Sequence, residues 1–465
     1  MVIEKLKITR NMKQKKRNSL LAALAVAWMF PSLAQAQEAG QAETMTLRQC
    51  MEYAVSNSTK MRIEAADRND EQWLRRQAIM KVFTPEISAQ TYAYNQYGRN
   101  LDPETNTYNN VTTFYNGYSA NAGLTLFDGF QSVNNMRMAK TAAKMGVSKE
   151  QQTRDEICLA TMEAYYNVIY YTKLEEVLAE QVLTAQTALE RAKRQEELGQ
   201  KSHADVVQME SEMAQKEYKR TTAHNQKEQA TLTLKDVMFW PVRDKLNIVH
   251  DVTEPLLIPV VASELSEQAK HQLPSAEIAT MNRRKAKLDL KSARGAYSPT
   301  LAFYAGWSTT YYTYPGKEGY KAVSFSEQFR NNGGEFIQLS LNVPIFDQFR
   351  RRTSLQNKKN ALRRAEAEYD QKMRDIENEV VRAVSDRDGA QAEFRQADRL
   401  AEVQKEAFEL STKQYENGLI SAIEFQTASQ TYLNAMAERM NSLLKLRIKD
   451  AVVRYYNGEA YLYQN

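Results

Sequence analysis

Apolar positions along this chain recur with two periods, and the order of those periods repeats. Residues 46–80 carry Leu47, Met51, Ala54 and Val55 at helical spacing, with Thr46 as a cap candidate. From Glu86 the period falls to two: Ile87, Ala89, Thr91 and Ala93 alternate with Ser88, Gln90, Tyr92 and Tyr94. An Asn-rich stretch follows, and then Tyr118, Ala120, Ala122, Leu124 and Leu126 alternate with polar or small residues. This predicts a β-hairpin over 86–126 with a long loop, each strand about ten residues, a length that suits a tilted strand crossing a bilayer. Phe127, Asp128, Gly129 and Phe130 form a corner into a helix, with Asp128 as its N-cap. The helical pattern runs over 131–198 without proline, roughly 100 Å at 1.5 Å per residue. Its apolar seam is narrow (Leu174, Leu178, Val182, Ala185, Leu189, Ala192), so it needs partner helices beside it. A tip at 199–202 and a helix over 203–238 complete a first repeat, 37–240, which ends at Trp240 and Pro241.

Residues 241–262, with Pro255 and Pro259, read as an extended linker at the level where the halves join. The second repeat, 263–465, has the same order: a helix over 265–295, a hairpin over 299–345, a long helix over 348–416, a tip at 417–421 and a helix over 422–456. Leu301, Phe303, Ala305 and Trp307 alternate with small or polar residues, as do Ile337, Leu339, Leu341 and Val343. The two strands are separated by a Gly-rich loop over 314–334. Phe346, Asp347, Gln348 and Phe349 mirror the first corner 219 residues on, with Asp347 in the place of Asp128. The tips keep the same offset: Gly199 pairs with Gly418, Ser202 with Ser421, and Asp205 with Glu424. Glycine ends one helix by taking the left-handed conformation, and Ser-x-x-Asp or Ser-x-x-Glu starts the next as a capping box. Constant spacing between corner and tip makes chance similarity improbable.

Composition changes this picture in three places. The net charge of +5 is concentrated at the start: residues 1–36 carry seven Lys/Arg and one Glu, leaving 55 basic and 56 acidic residues beyond them. A basic n-region, an apolar stretch over 19–30 and Ala34-Gln35-Ala36 predict a signal peptide, 1–36, cleaved after Ala36. The near-neutral remainder gives no nucleic-acid signal. Mean hydropathy is −0.61 and no later apolar run reaches 18 residues, so no transmembrane helix is expected, whereas barrel strands leave only short alternating segments. The two cysteines, Cys50 and Cys158, are too few for a disulfide scaffold and read as two buried thiols or a single bridge. His203, His224, His250 and His271 are scattered and form no H-E-x-x-H motif. No catalytic constellation, metal site, cofactor site or Walker A loop is expected, and the chain reads as no enzyme.

Four strands cannot close a barrel around a channel, so the wall is expected to be shared between chains. One strand face is small and apolar, suiting lipid, and the other carries Ser, Gln, Asn and Thr, suiting a wet lumen. The tyrosines crowded into the strand region, Tyr92, Tyr94, Tyr118, Tyr304 and Tyr311 among them, read as an interfacial girdle or as ordinary strand preference for aromatics.

With its Phe-Asp-x-Phe corners, Gly-x-x-Ser-x-x-acid tips and internal duplication, the chain resembles the TolC-like outer-membrane efflux channel family over essentially everything after residue 36. The resemblance implies an α+β fold of long helical hairpins forming a periplasmic α-barrel, plus four strands given to a twelve-stranded β-barrel shared in a homotrimer. It implies a passive exit duct in the outer membrane, in contact with lipid, reached by an inner-membrane transporter through a periplasmic adaptor and carrying small molecules outward. Alternatives are a periplasmic coiled-coil scaffold without a pore, or the channel of a protein-secretion or metal-efflux system. In the family the periplasmic end is closed by aspartates, a tyrosine and an arginine near this hairpin. By position Tyr415 matches the gate tyrosine and Glu424 the first gate aspartate, while Thr427 stands where a second aspartate would be and Ile420 where the arginine would be. Glu424, and Asp205 in the first tip, can serve a pore or only complete capping boxes. The resemblance further implies that the tips dock the adaptor through Gly199, Gln200, Lys201, Ser202, Gly418, Leu419, Ile420 and Ser421.

Overall fold

The computed structural model describes residues 44–101 and 106–464; the expected signal peptide and its cleavage point lie outside them. The order of elements is α1 (Leu47–Asn57), α2 (Thr59–Phe83), β1 (Glu86–Gln96), β2 (Arg99–Leu101), β3 (Tyr108–Asn110), β4 (Thr113–Phe127), α3 (Gln131–Glu197) and α4 (His203–Met238). After the linker come α5 (Ala262–Gln272), α6 (Pro274–Gly295), β5 (Thr300–Thr313), α7 (Phe325–Asn331), β6 (Gly334–Asn342), α8 (Arg350–Glu416) and α9 (Ala422–Tyr456), with a short 3-10 turn at Tyr461–Tyr463.

Both first helices are broken where the periodicity suggested one piece. Thr46 caps α1 in a capping box with Gln49, but the helix stops at Ser58, whose extended backbone lets its hydroxyl accept from the Lys60 N–H and start α2. In the second half Pro274 is the first residue of α6, where its missing N–H costs nothing, so α5 ends before it. The loops are also more ordered than their composition suggests. The first contains the β2–β3 ladder, and the Gly-rich one contains α7.

The four long strands form one antiparallel sheet in the order β1-β4-β5-β6. The β4–β5 pairing joins the two repeats, with Ala120 opposite Trp307 and Ala122 opposite Ala305. The registers put Ile87, Ala89, Ala120, Ala122, Leu124, Phe303, Ala305, Trp307, Ile337 and Leu339 on one face. The other face holds Ser88, Gln90, Ser119, Asn121, Ser308, Gln338 and Ser340 interspersed with the aromatics Tyr92, Tyr94 and Phe336, with Tyr304 standing over Gly123. Among the described residues no strand pairs with the outer edge of β1 or of β6.

At the corners Asp128 and Asp347 are not themselves the N-cap residues. Gly129 and Phe130, and likewise Gln348 and Phe349, are consecutive left-handed residues, so the helices begin two residues later. Each aspartate still reaches the new helix: Asp128 Oδ2 accepts from the Ser132 N–H at 2.8 Å, and Asp347 Oδ2 from the Arg351 N–H at 3.0 Å and its Nε at 2.8 Å. A Cβ on Gly129 would stand 2.2 Å from the Gly295 carbonyl oxygen, so this glycine is required by close backbone approach as well as by φ.

The long helices α3 and α8 have 67 residues each, about 100 Å. Helix α3 packs along α4, α2 and α6, and α8 along α9, α6 and α5. The largest buried cluster lies at the level of the linker and contains Met51, Cys158, Met162, Ile169, Leu234 and Met238. Cys50 and Cys158 are both free thiols in that cluster, each pushed up to about 12 by burial. The linker lies against the helices through its backbone: Arg387, Arg447 and Arg454 donate to the carbonyls of Ile258, Thr253 and Leu256. Among the described residues no helix is long and apolar enough to cross a membrane.

Candidate functional site

The two tips have one backbone solution. Gly199 (φ 68°) and Gly418 (φ 73°) are left-handed. The Gly199 and Gln200 N–H groups donate to the carbonyls of Glu196 and Gln195, as those of Gly418 and Leu419 do to Tyr415 and Gln414. These are Schellman closures, which satisfy the last carbonyls of each long helix. Both capping boxes are formed. The Asp205 carboxylate accepts from the Ser202 N–H at 3.1 Å and its hydroxyl at 2.8 Å; Glu424 accepts from the Ser421 N–H at 2.7 Å and its hydroxyl at 2.9 Å. In return each serine Oγ accepts from the acid's own N–H at 3.3 Å. These bonds hold both carboxyls below the usual carboxylate range: for Asp205 the Ser202 hydroxyl contributes most, for Glu424 the Ser421 N–H.

The residues between the fixed points differ. Tyr415 is only 4% exposed and stacks on Phe425 with ring centroids 4.9 Å apart. Both belong to a cluster with Ala188, Leu189, Val206 and Met209, against which Ile420 packs. The ammonium of Lys201, from the first tip, sits 3.8 Å from the centre of the Tyr415 ring. Tyr415 is therefore a core residue joining the two hairpins of the chain. Glu424 is exposed and occupied by its cap, and Thr427 is exposed with its hydroxyl donating to the Ile423 carbonyl at 2.8 Å. The structure thus brings Lys201 to Tyr415 and does not bring Tyr415 to Glu424 or Thr427.

Further links between the hairpins had no sequence signal, because their members lie more than 200 residues apart. Arg191 pairs with Glu416 at 2.8 Å, and Gln208 donates to Gln426 at 2.9 Å. Higher up is a buried polar layer. Lys216 Nζ donates to Gln181 Oε1 at 2.8 Å, Gln181 Nε2 donates to the Ser429 carbonyl at 3.2 Å, and Glu212 lies 3.8 Å from Lys216. Burial lowers the Lys216 ammonium to about 8 and raises the Glu212 carboxyl, so both are biased toward their neutral forms. Beside the tips a cavity of about 300 Å³ is lined by Leu183, Thr187, Arg191, Tyr415 and Phe425. Among the described residues no group of His, Cys, Asp and Glu could hold a metal ion.

This combination of a four-stranded two-faced sheet with duplicated 100 Å hairpins defines the fold of the TolC-like outer-membrane efflux channels. Residues 265–456, about two fifths of the chain, match the family described as outer membrane efflux protein. No curated protein is significantly similar in sequence. Among solved structures, CusC, described as forming a transmembrane channel, has a TM-score of 0.75 at 14% identity, over 88% of this chain and 91% of its own. VceC from Vibrio cholerae gives 0.74 at 14% identity, over 89% and 96%. The open-state MtrE channel of Neisseria gonorrhoeae gives 0.72 at 15% identity, over 89% and 89%. At these identities the structures speak for the fold alone.

Proposed function

We propose that three copies of this chain close a twelve-stranded barrel in the outer membrane and form a passive exit duct for small molecules. The observation that carries this reading is the sheet: apolar on one face, polar and aromatic on the other, with no described strand beside the outer edge of β1 or of β6. Such a sheet is unstable alone in lipid, where every backbone group needs a partner, and closure with further copies removes its edges. Helix α2 supports association of copies. It buries none of its residues and exposes Ile63, Trp73, Leu74, Met80 and Phe83. A pore-free scaffold would have no use for the two-faced sheet. Purified protein reconstituted in planar bilayers should give discrete conductance steps and the mass of a trimer; monomers without conductance would sink the proposal.

The tips are the end that would meet a periplasmic adaptor linked to an inner-membrane transporter. Leu198, Leu419 and Ile423 are 71%, 74% and 64% exposed there, an apolar rim on a helix-end surface suited to a helical partner. A photo-crosslinker at Leu419 should trap that adaptor; no product in the envelope would count against docking. For Glu424 the geometry favours capping, with a ring of three carboxylates as the additional pore role. Glu424→Ala separates them: lower stability with unchanged cation preference means capping alone, while lost cation preference means the ring contributes.

A further inference from the structure

Strand β5 outruns β6. Their pairing ends at Ser308 opposite Gly334, whereas β5 continues through residues 309–313. Along that stretch, on the side where β6 has ended, α7 takes its place. The buried Gln328 side chain accepts from the Tyr312 N–H at 3.1 Å and donates to the Tyr312 carbonyl at 2.9 Å, the pair of bonds a residue of a neighbouring strand would make. Asn332 donates to the Thr310 carbonyl at 2.7 Å, and Thr309 Oγ1 to the Phe329 carbonyl at 2.9 Å. Helix α7 is also fastened to the apolar face of the sheet. Phe329 meets Tyr118 and Trp307 at 5.4 Å each, and Phe325 meets Tyr311 at 5.4 Å. A seven-residue helix is unstable by itself, so these sheet contacts are what hold it.

Strand β6 is the last of the sheet, so its far side, and beyond Gly334 the far side of α7, is what a next copy meets when the wall closes. The opposite edge belongs to β1, which has eleven residues against nine in β6 and runs on through Tyr97 toward β2. The edge offered to β1 therefore continues past Gly334 as α7 instead of as strand. We propose that α7 closes the outer end of the seam between copies, with the outer end of β1 from a second copy as its occupant. The inference rests on the shared-wall reading and adds to it that each seam is strand against strand on the periplasmic side and helix against strand at the outer rim.

Two cysteine pairs, built in a Cys50→Ala/Cys158→Ala background and treated with a short bis-maleimide in the membrane, test it. Ile337→Cys with Ala93→Cys reports the β6–β1 seam, and Asn331→Cys with Tyr97→Cys reports α7 against β1. Both should give dimer and trimer ladders on denaturing gels, and adding Gln328→Leu should weaken the second several-fold while sparing the first. A ladder from the first pair alone, or labelling of Asn331→Cys only by a lipid-confined reagent, would overturn the role of α7 and leave the trimer standing. No ladder from either pair would overturn the seam together with the shared wall.

Discussion

The first and second halves differ where the chain touches something and agree where it only turns. Both tips use a left-handed glycine and a serine–acid box, with bond lengths matching within a few tenths of an ångström. Between these points the first tip offers Gln200 and Lys201 and the second Leu419 and Ile420. Both corners use two left-handed residues after an aspartate, yet the first has Gly129 against Gly295 while the second has Gln348. Duplication has kept the backbone requirement and released the side chains to different neighbours.

The largest effect should come from forcing the corners to be alike. Gly129→Gln puts a Cβ into the Gly295 carbonyl and adds the left-handed cost of about 1–2 kcal/mol, so assembled protein should fall to a small fraction on native gels. Gln348→Gly should stay within about 1 kcal/mol of the parent, since left-handed strain is relieved and chain entropy lost. Equal tolerance at both corners would break the comparison.

A smaller effect is expected inside the tips. Phe425→Ala removes the ring between Tyr415 and Phe408 and should cost about 3–5 kcal/mol, read as a lowered thermal midpoint. Val206→Ala, at the matching place in the first tip, should cost less because a smaller side chain is lost. Lys201→Ala should cost about 0.5–1 kcal/mol by removing the cation from the Tyr415 ring.

The smallest effects sharpen the likeness. Ser202→Ala and Ser421→Ala should each cost about 1 kcal/mol, and by the same amount. Asp205 and Glu424 have folded values below their unfolded ones, so their contribution is fully present above about pH 4 and is lost as pH falls through the lowered folded values. Hydrogen exchange at the tips should therefore rise in acid, and to the same extent in both.

The α+β architecture was legible because its signals are local. A change of period from 3.6 to 2, a Phe-Asp-x-Phe corner and a Gly-to-acid tip each need only a few neighbouring residues. The break at Ser58 escaped because its polar side chain sits fully buried beneath an apparently unbroken period. Helix α7 escaped because its stability comes from Tyr312, Thr310 and Trp307 on the sheet, not from its own seven residues. At the tips the capping serines could be read directly. The burial of Tyr415 under Lys201 could not, since 214 residues separate the two and only packing joins them.

The buried Gln181–Lys216–Glu212 layer makes the helices a lever with a fixed fulcrum. Sliding one helix by a turn would strip Lys216 of Gln181 and leave buried polar groups without partners in a dry interface, which costs more than a small rotation. From Gln181 to the end of α3 the arm is sixteen residues, or about 24 Å. A tilt of about 10° there carries the tip about 4 Å, enough to separate Lys201 from Tyr415 while every bond above the fulcrum stays in place.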